Sequence, residues 1–140
     1  MIGRFARRVP AEEVGKYVLG YTCANDVTAR DLQDRDPTWD RAKGFDGFCP
    51  LGPWIETEFD PLDVAVECRV NGDPRQAGRT SQLAFGPAEL VEFASHVMTL
   101  LPGDVLLTGT PAGVGPMQVG DTVEVEVEGI GILRNQVVKS

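Results

Sequence analysis

The sequence predicts an α+β fold, mainly β, organised as one domain around one main helix. Three observations carry that reading. Val64, Val66, Cys68 and Val70 alternate with Ala65, Glu67 and Arg69 directly before Asn71-Gly72. Val123, Val125 and Val127 alternate with Glu124, Glu126 and Glu128. A stretch from Pro87 to Leu101 carries Leu90, Phe93, Ala94, Val97, Met98 and Leu101 at the three-four spacing of a helix face.

In chain order, Pro10 to Val14 reads as a short helical turn, and the apolar run Tyr17-Val18-Leu19-Gly20-Tyr21 as a strand. The Val64–Val70 alternation predicts a strand closed by a hairpin, because a type I′ turn needs positive φ at both central residues and Asn-Gly supplies it. Pro87 suits a first helical turn, where its missing N–H costs nothing, and Pro102-Gly103 is expected to end the helix. Val105-Leu106-Leu107 predicts a short buried strand leading into a glycine-rich loop. Val123–Glu128 predicts a half-buried strand with one acidic face. The chain shows no internal repeat, low-complexity segment or linker.

Composition narrows the function classes. At 140 residues the chain is long enough for one domain with a real core. The 21 acidic against 13 basic residues give a net charge of −8, which argues against nucleic acid and anionic membrane surfaces as partners. Arg4, Arg7 and Arg8 cluster, but lack the periodicity of a targeting helix. No apolar run approaches the ~20 residues of a membrane span. Cys23, Cys49 and Cys68 are far apart and odd in number, as free thiols of a reducing cytoplasm would be.

Three segments carry chemistry. Asn25-Asp26-Val27-Thr28-Ala29-Arg30-Asp31-Leu32-Gln33 sets a carboxylate, a guanidinium and an amide in nine residues behind the predicted strand. A carboxylate suits a hard divalent cation, and a guanidinium suits a bidentate grip on a substrate carboxylate. The alternative is that Asp26 caps a helical turn while Arg30 pairs with Asp31 or Asp34. Thr108-Gly109-Thr110-Pro111-Ala112-Gly113-Val114-Gly115 can converge backbone N–H groups on an anion, with the Thr110 hydroxyl at its mouth, or can be an ordinary loop. It matches neither a P-loop nor a dinucleotide fingerprint. In Trp39 to Pro53, Lys43 sits among aromatics and glycines; it either points at an anionic ligand or is a solvated surface lysine. Cys49 has no nearby histidine to activate it and reads as packed. His96 is the only histidine, so a multi-histidine zinc centre is excluded and a serine–histidine triad disfavoured.

Together these strings resemble the fumarylacetoacetate hydrolase family, specifically its C-terminal catalytic domain in small bacterial-type members. Tyr21 to Gln33 (YTCANDVTARDLQ), Ala42 to Pro53 (AKGFDGFCPLGP) and Leu106 to Gly115 (LLTGTPAGVG) carry the resemblance, with Val70-Asn71-Gly72 and Pro102-Gly103-Asp104-Val105 beside them. It runs from about Ile2 to the C-terminus. The resemblance implies a mixed β-roll of curled sheets, a cytoplasmic homodimer, and Mg²⁺, Mn²⁺ or Ca²⁺ held by three carboxylates, one of them Asp26. It implies that Arg30 and Gln33 bind substrate beside the metal. Lys43 is then the catalytic lysine that neutralises developing oxyanion charge, while Thr110 and Gly109 receive the substrate's distal oxygens. The implied reaction is hydrolysis or isomerisation of small oxo-dicarboxylates, of acylpyruvate or 2-hydroxyhepta-2,4-diene-1,7-dioate type, through a stabilised enolate. Oxaloacetate decarboxylation, or a catalytically inactive truncated subunit, is the alternative.

One departure qualifies the resemblance. The family's other two metal carboxylates form a Glu-x-Glu pair on a strand ending in a Val-Ile-Gly-like string. Ile2-Gly3 looks like the end of that string, so the pair is expected a few residues before Met1 and the chain is expected to be truncated relative to the family. Glu56-Thr57-Glu58 has the local pattern of a substitute but reads as a solvated edge, and Glu124, Glu126 and Glu128 read as an exposed strand face. The chain as written is therefore expected to bind metal poorly.

Overall fold

In a computed structural model, which describes residues 1–139, strands dominate and one helix exceeds four residues in α conformation. The strands are β1 (Tyr21–Ala24), β2 (Leu51–Glu56), β3 (Ala65–Val70), β4 (Asp73–Arg79), β5 (Thr122–Val127) and β6 (Gly131–Gln136). The helices are α1 (Arg30–Gln33), α2 (Asp40–Lys43) and α3 (Pro87–Val97), with a 3-10 turn at Ala11–Lys16 where the sequence predicts a helical turn. Two antiparallel sheets result: β1-β2, and the four-stranded β4-β3-β5-β6. Among the described residues no helix is long and apolar enough to cross a membrane.

The alternating patterns become the larger sheet. Asn71 and Gly72 take φ of 53° and 85°, the left-handed pair a type I′ turn requires, and they join β3 to β4. β5 pairs β3 on one edge (Cys68 opposite Val125) and β6 on the other (Val125 opposite Leu133). Its valines point inward, Val123 and Val125 being buried, and Val125 joins Cys23, Ile130 and Leu133 in one core cluster. Its glutamates point outward onto two arginines. Glu126 accepts from Arg69 at 2.6 Å, while Glu124 accepts from Arg69 Nε at 3.4 Å and Arg134 Nε at 2.8 Å. The Glu124 side chain is only 13% exposed, so this face is a charge ladder across three strands rather than a freely solvated one.

The second core cluster joins the start of the chain to α3: Ile2, Ala6, Val9, Val14, Val91 and Leu100. Here the structure corrects two expectations. The helix ends at Val97, not Leu101, because Met98 turns extended and Leu100 forms a two-way backbone hydrogen-bonded bridge with Ala6 (both 2.9 Å). Its buried side carries Val91 and Ser95, with Ala88 and Ala94 packed beside them, whereas Phe93 and Val97 are 73% and 62% exposed and Met98 and Leu101 also face outward. The cause is polar. Ser95 Oγ accepts the Val9 N–H at 2.9 Å, and the Ser95 carbonyl accepts from the Arg8 N–H at 2.9 Å and from Arg7 Nη1. Satisfying those main-chain groups at a buried serine turns the helix away from its most apolar stripe. At the helix start, Glu89 accepts the Gly86 N–H at 2.7 Å, and Pro87 holds the first turn as the sequence predicts.

Val105-Leu106-Leu107 is not a strand. Ile2 donates to the Asp104 carbonyl at 2.8 Å and accepts from the Gly103 N–H at 2.9 Å, but residues 105–109 make no backbone hydrogen bond to described residues.

The Glu124 ladder makes stability pH-dependent. Hydrogen bonding to Arg134, and then to Arg69, holds the Glu124 carboxyl below the usual glutamate range. A carboxyl depressed on folding adds stability above its unfolded pKa, and that stability is lost as pH falls through the folded value. Glu124→Gln is expected to lower the urea midpoint at neutral pH. The gap to the parent should shrink steadily below about pH 4.3. A gap that persists at low pH would assign the ladder no electrostatic role.

Candidate functional site

All six residues singled out in the sequence line one cavity of about 940 Å³: Asp26, Arg30, Gln33, Lys43, Gly109 and Thr110. Its floor is the inward face of the large sheet (Val66, Cys68, Val123, Val125 and Val127), and one wall is β1. A mostly apolar concavity with a few convergent polar groups is the usual form of a small-molecule site.

β1 ends at Ala24, and the chain turns at Asn25–Ala29 into α1. The Ala29 N–H donates to the Ala42 carbonyl at 2.9 Å, which docks α1 against α2. Asp26 and Lys43, 17 residues apart, are thereby brought into a direct ion pair, with Asp26 Oδ2 accepting from Lys43 Nζ. The Lys43 side chain is 30% exposed; its ammonium lies 3.4 Å from Thr28 Oγ1 and 5.9 Å from the centre of the Trp39 ring. Lys43 is thus a positioned cation, not a free surface lysine. Asp26 caps no helix: α1 has Ala29 at its N-cap with no side-chain bond. Arg30 pairs with neither Asp31 nor Asp34, and instead donates through Nη1 to Gln33 Oε1 at 2.8 Å. That bond fixes the guanidinium at the rim with donors still available for an anion.

The glycine loop is built against β4. A Cβ on Gly113, whose φ is 107°, would lie 1.9 Å from the Arg75 carbonyl oxygen, so the loop lies flat on the strand only with glycine there. Gln76, a residue the sequence reading passed over, clamps it from β4: its Nε2 donates to Thr110 Oγ1 at 2.7 Å and to the Pro111 carbonyl at 2.6 Å. A lone glutamine carries no motif, and its position next to the predicted hairpin was the available signal.

The expected divalent cation does not fit the residues present. Among the described residues no three His, Cys, Asp or Glu side chains form a group that could hold a metal ion, and Asp26 is already taken by an ammonium. One carboxylate is too little charge to hold a hard dication tightly. Glu56 lies at the end of β2, where its carboxylate accepts the Glu58 N–H at 3.1 Å, and neither glutamate lines the cavity.

The profile of the "Fumarylacetoacetate (FAA) hydrolase C-terminal" family matches residues 1–138. The crystal structure of a 5-carboxymethyl-2-hydroxymuconate delta-isomerase from Mycobacterium smegmatis superposes with a TM-score of 0.97 at 58% identity, covering 99% of this chain and 55% of that one. That of a 2-hydroxyhepta-2,4-diene-1,7-dioate isomerase from Mycobacterium marinum gives 0.96 at 54% identity, over 98% of this chain and 54% of the other. Among curated proteins, the mitochondrial oxaloacetate tautomerase of Rattus norvegicus is 42% identical over 149 residues, 99% of this chain and 48% of its own length. The chain thus spans about half the length of these relatives.

The loop geometry sets a direct test. Gly113→Ala is expected to destabilise the chain by about 2 kcal/mol or more in urea unfolding, through both strained φ and the clash with Arg75. Gly115→Ala, with nothing within 4 Å of the added carbon, should stay within about 0.5 kcal/mol.

Proposed function

The chain belongs to the fumarylacetoacetate hydrolase C-terminal family, and on that premise we propose that it carries the substrate-holding groups of an enzyme acting on small oxo-dicarboxylates. The reaction class is keto–enol chemistry: isomerisation, tautomerisation or hydrolysis through an enolate, performed as a homodimer. The named activities of its relatives, two diene-dioate or muconate isomerases and an oxaloacetate tautomerase, support this, since each interconverts forms of a compound with an enolisable oxygen next to a carboxylate.

The single observation that carries the reading is the Lys43 ammonium, held by Asp26 and aimed into a cavity that Arg30 and the Thr110 loop also line. In the proposed pose Arg30 grips one carboxylate of the substrate, assisted by Gln33. The Thr110 hydroxyl and Gly109 amide take the distal carboxylate. The keto oxygen then lies at Lys43, whose ammonium donates to it as negative charge develops and the proton on the neighbouring carbon passes to solvent water, while Asp26 keeps the ammonium in place. A preorganised cation at the oxygen that becomes anionic lowers the barrier to enolate formation more than it strengthens ground-state binding. The described residues offer one carboxylate at this point, so the charge stabilisation is assigned to the Lys43 ammonium.

A second reading, an anion-binding unit without turnover, draws its support from the single site carboxylate. One experiment separates the two. Oxalate, a planar enolate mimic, is titrated calorimetrically into the chain, and loss of the enol absorbance of oxaloacetate is followed in parallel. Oxalate binding together with enol loss above the uncatalysed rate supports the enzyme. Binding without enol loss supports the binding unit, and absence of both removes the proposal. Lys43→Met is expected to lower any enol turnover by about a hundredfold. Arg30→Met should weaken oxalate about tenfold to a hundredfold. Mg²⁺ or Mn²⁺ added alone should give no saturable heat at micromolar concentrations; a saturable heat would show that the three-carboxylate expectation is met by groups other than those assigned here.

A further inference from the structure

Gln76 grips the glycine loop through one atom, and the chemistry of its two partners decides which atom that is. The Pro111 carbonyl, 2.6 Å away, can only accept, so the atom facing it is Nε2 and not Oε1. The same nitrogen reaches Thr110 Oγ1 at 2.7 Å, so its second hydrogen enters a lone pair of the hydroxyl. A hydroxyl has one hydrogen and two lone pairs. With Gln76 on one lone pair, the Thr110 hydrogen points away from Gln76, and accepting one bond polarises it as a stronger donor in the next. Gln76 is not needed merely to hold the loop down. Gly113 already lies against the Arg75 carbonyl, and a Cβ on Gly78 would meet the Pro111 ring at 3.0 Å. The same rule fixes Gln33, which also lines the cavity. Arg30 Nη1 only donates, so the Gln33 atom 2.8 Å from it is Oε1, and the Nε2 hydrogens are left for a ligand.

We propose that Gln76 is a positioning residue that sets the polarity of the distal subsite. It presents the Thr110 hydroxyl as a donor, so that the subsite selects a carboxylate over an isosteric carboxamide. The inference rests on the pose given above, in which Thr110 and Gly109 meet the far end of the substrate. There the Gly109 N–H can only donate, and a donor hydroxyl beside it asks the ligand for two acceptor oxygens. A carboxylate supplies both. A carboxamide supplies one and turns its NH2 toward a donor, which leaves hydrogens unpaired. Released from Gln76, the hydroxyl could rotate its hydrogen away and accept from that NH2. Elsewhere in the cavity Lys43 and Arg30 only donate, Gln33 is left as a donor, and Asp26 is engaged by Lys43. The site is thus built for a ligand that accepts hydrogen bonds at both ends.

The test reads a ratio of affinities. 2-Oxoglutarate and 2-oxoglutaramate, which differ only in a distal carboxylate against a carboxamide, are titrated into the full chain and followed by NMR. The unmodified chain is expected to bind the carboxylate about tenfold or more tighter. Gln76→Met is expected to cut that ratio about fivefold, because the hydroxyl regains its freedom. A Gln76 that only braced the loop would weaken both ligands alike. An unchanged ratio in Gln76→Met, or equal binding by the unmodified chain, therefore overturns the proposal. On a Thr110→Val background Gln76→Met should leave the ratio where it stands, and a further fall would show that Gln76 does not act through Thr110. Should Gln76→Met not fold, exchange of the Gln76 side-chain amide hydrogens in the unmodified chain decides. Slowing by 2-oxoglutarate beyond that by 2-oxoglutaramate supports the proposal, and equal slowing overturns it. Oxalate separates this inference from the reading beneath it. Oxalate binding without 2-oxoglutarate binding overturns the polarity role alone, whereas failure of both removes the pose and the inference with it.

Discussion

The register of β5 is the constraint on which the rest of the site depends. A slip of one residue would turn Glu124 and Glu126 into the cavity and Val123 and Val125 out to solvent, because side chains alternate strictly along a strand. Two features hold the register from opposite faces. Inside, Val125 is shared with Cys23, Ile130 and Leu133; outside, Arg69 reaches both glutamates and Arg134 reaches one. Neither face alone makes a strong claim: exposed ion pairs contribute little individually, and the buried cluster is small. Acting on alternate residues of one strand, they exclude the same error. The apolar floor under Lys43 and Arg30 is the product.

On that floor the polar groups arrive by two routes. Asp26, Arg30 and Gln33 come on one short connection out of β1, and Lys43 joins them through the Ala29–Ala42 hydrogen bond. Thr110 and Gly109 come from a distant part of the chain and are fixed by Gln76 and by the close approach of Gly113 to β4. The local route places charges and the long-range route places neutral donors. Burial also raises the pKa of the Cys23 and Cys68 thiols, with desolvation the leading cause for each, which suits inert packing residues lining the cavity better than nucleophiles.

What could be read from the sequence divides along a physical line. Alternation of valine and glutamate, and Asn-Gly after a valine run, are local signals with one structural solution, and β3, β4 and β5 follow them. The six site residues lay in compact strings, and compact strings travel together in a fold. The sequence did not reveal what depended on a partner far along the chain. The helix face was misjudged because apolar spacing ranks side chains by hydrophobicity, whereas Ser95 was selected by main-chain groups of Arg8 and Val9. Val105–Leu107 has the composition of a strand, but a strand exists only where a neighbour accepts its hydrogen bonds. Gln76 stayed invisible because its role is a contact across 34 positions.

The helix orientation has a practical consequence. Phe93, Val97, Met98 and Leu101, left in water by the choice of Ser95, form an adhesive stripe on a chain whose net charge of −8 pushes copies apart. The two forces respond oppositely to handling. Apolar attraction weakens on cooling, and charge repulsion reaches furthest when salt is dilute. Preparations kept cold and at low ionic strength should therefore stay dispersed, while warming or salting, routine steps in purifying an acidic protein, would turn the same stripe into the seed of a precipitate.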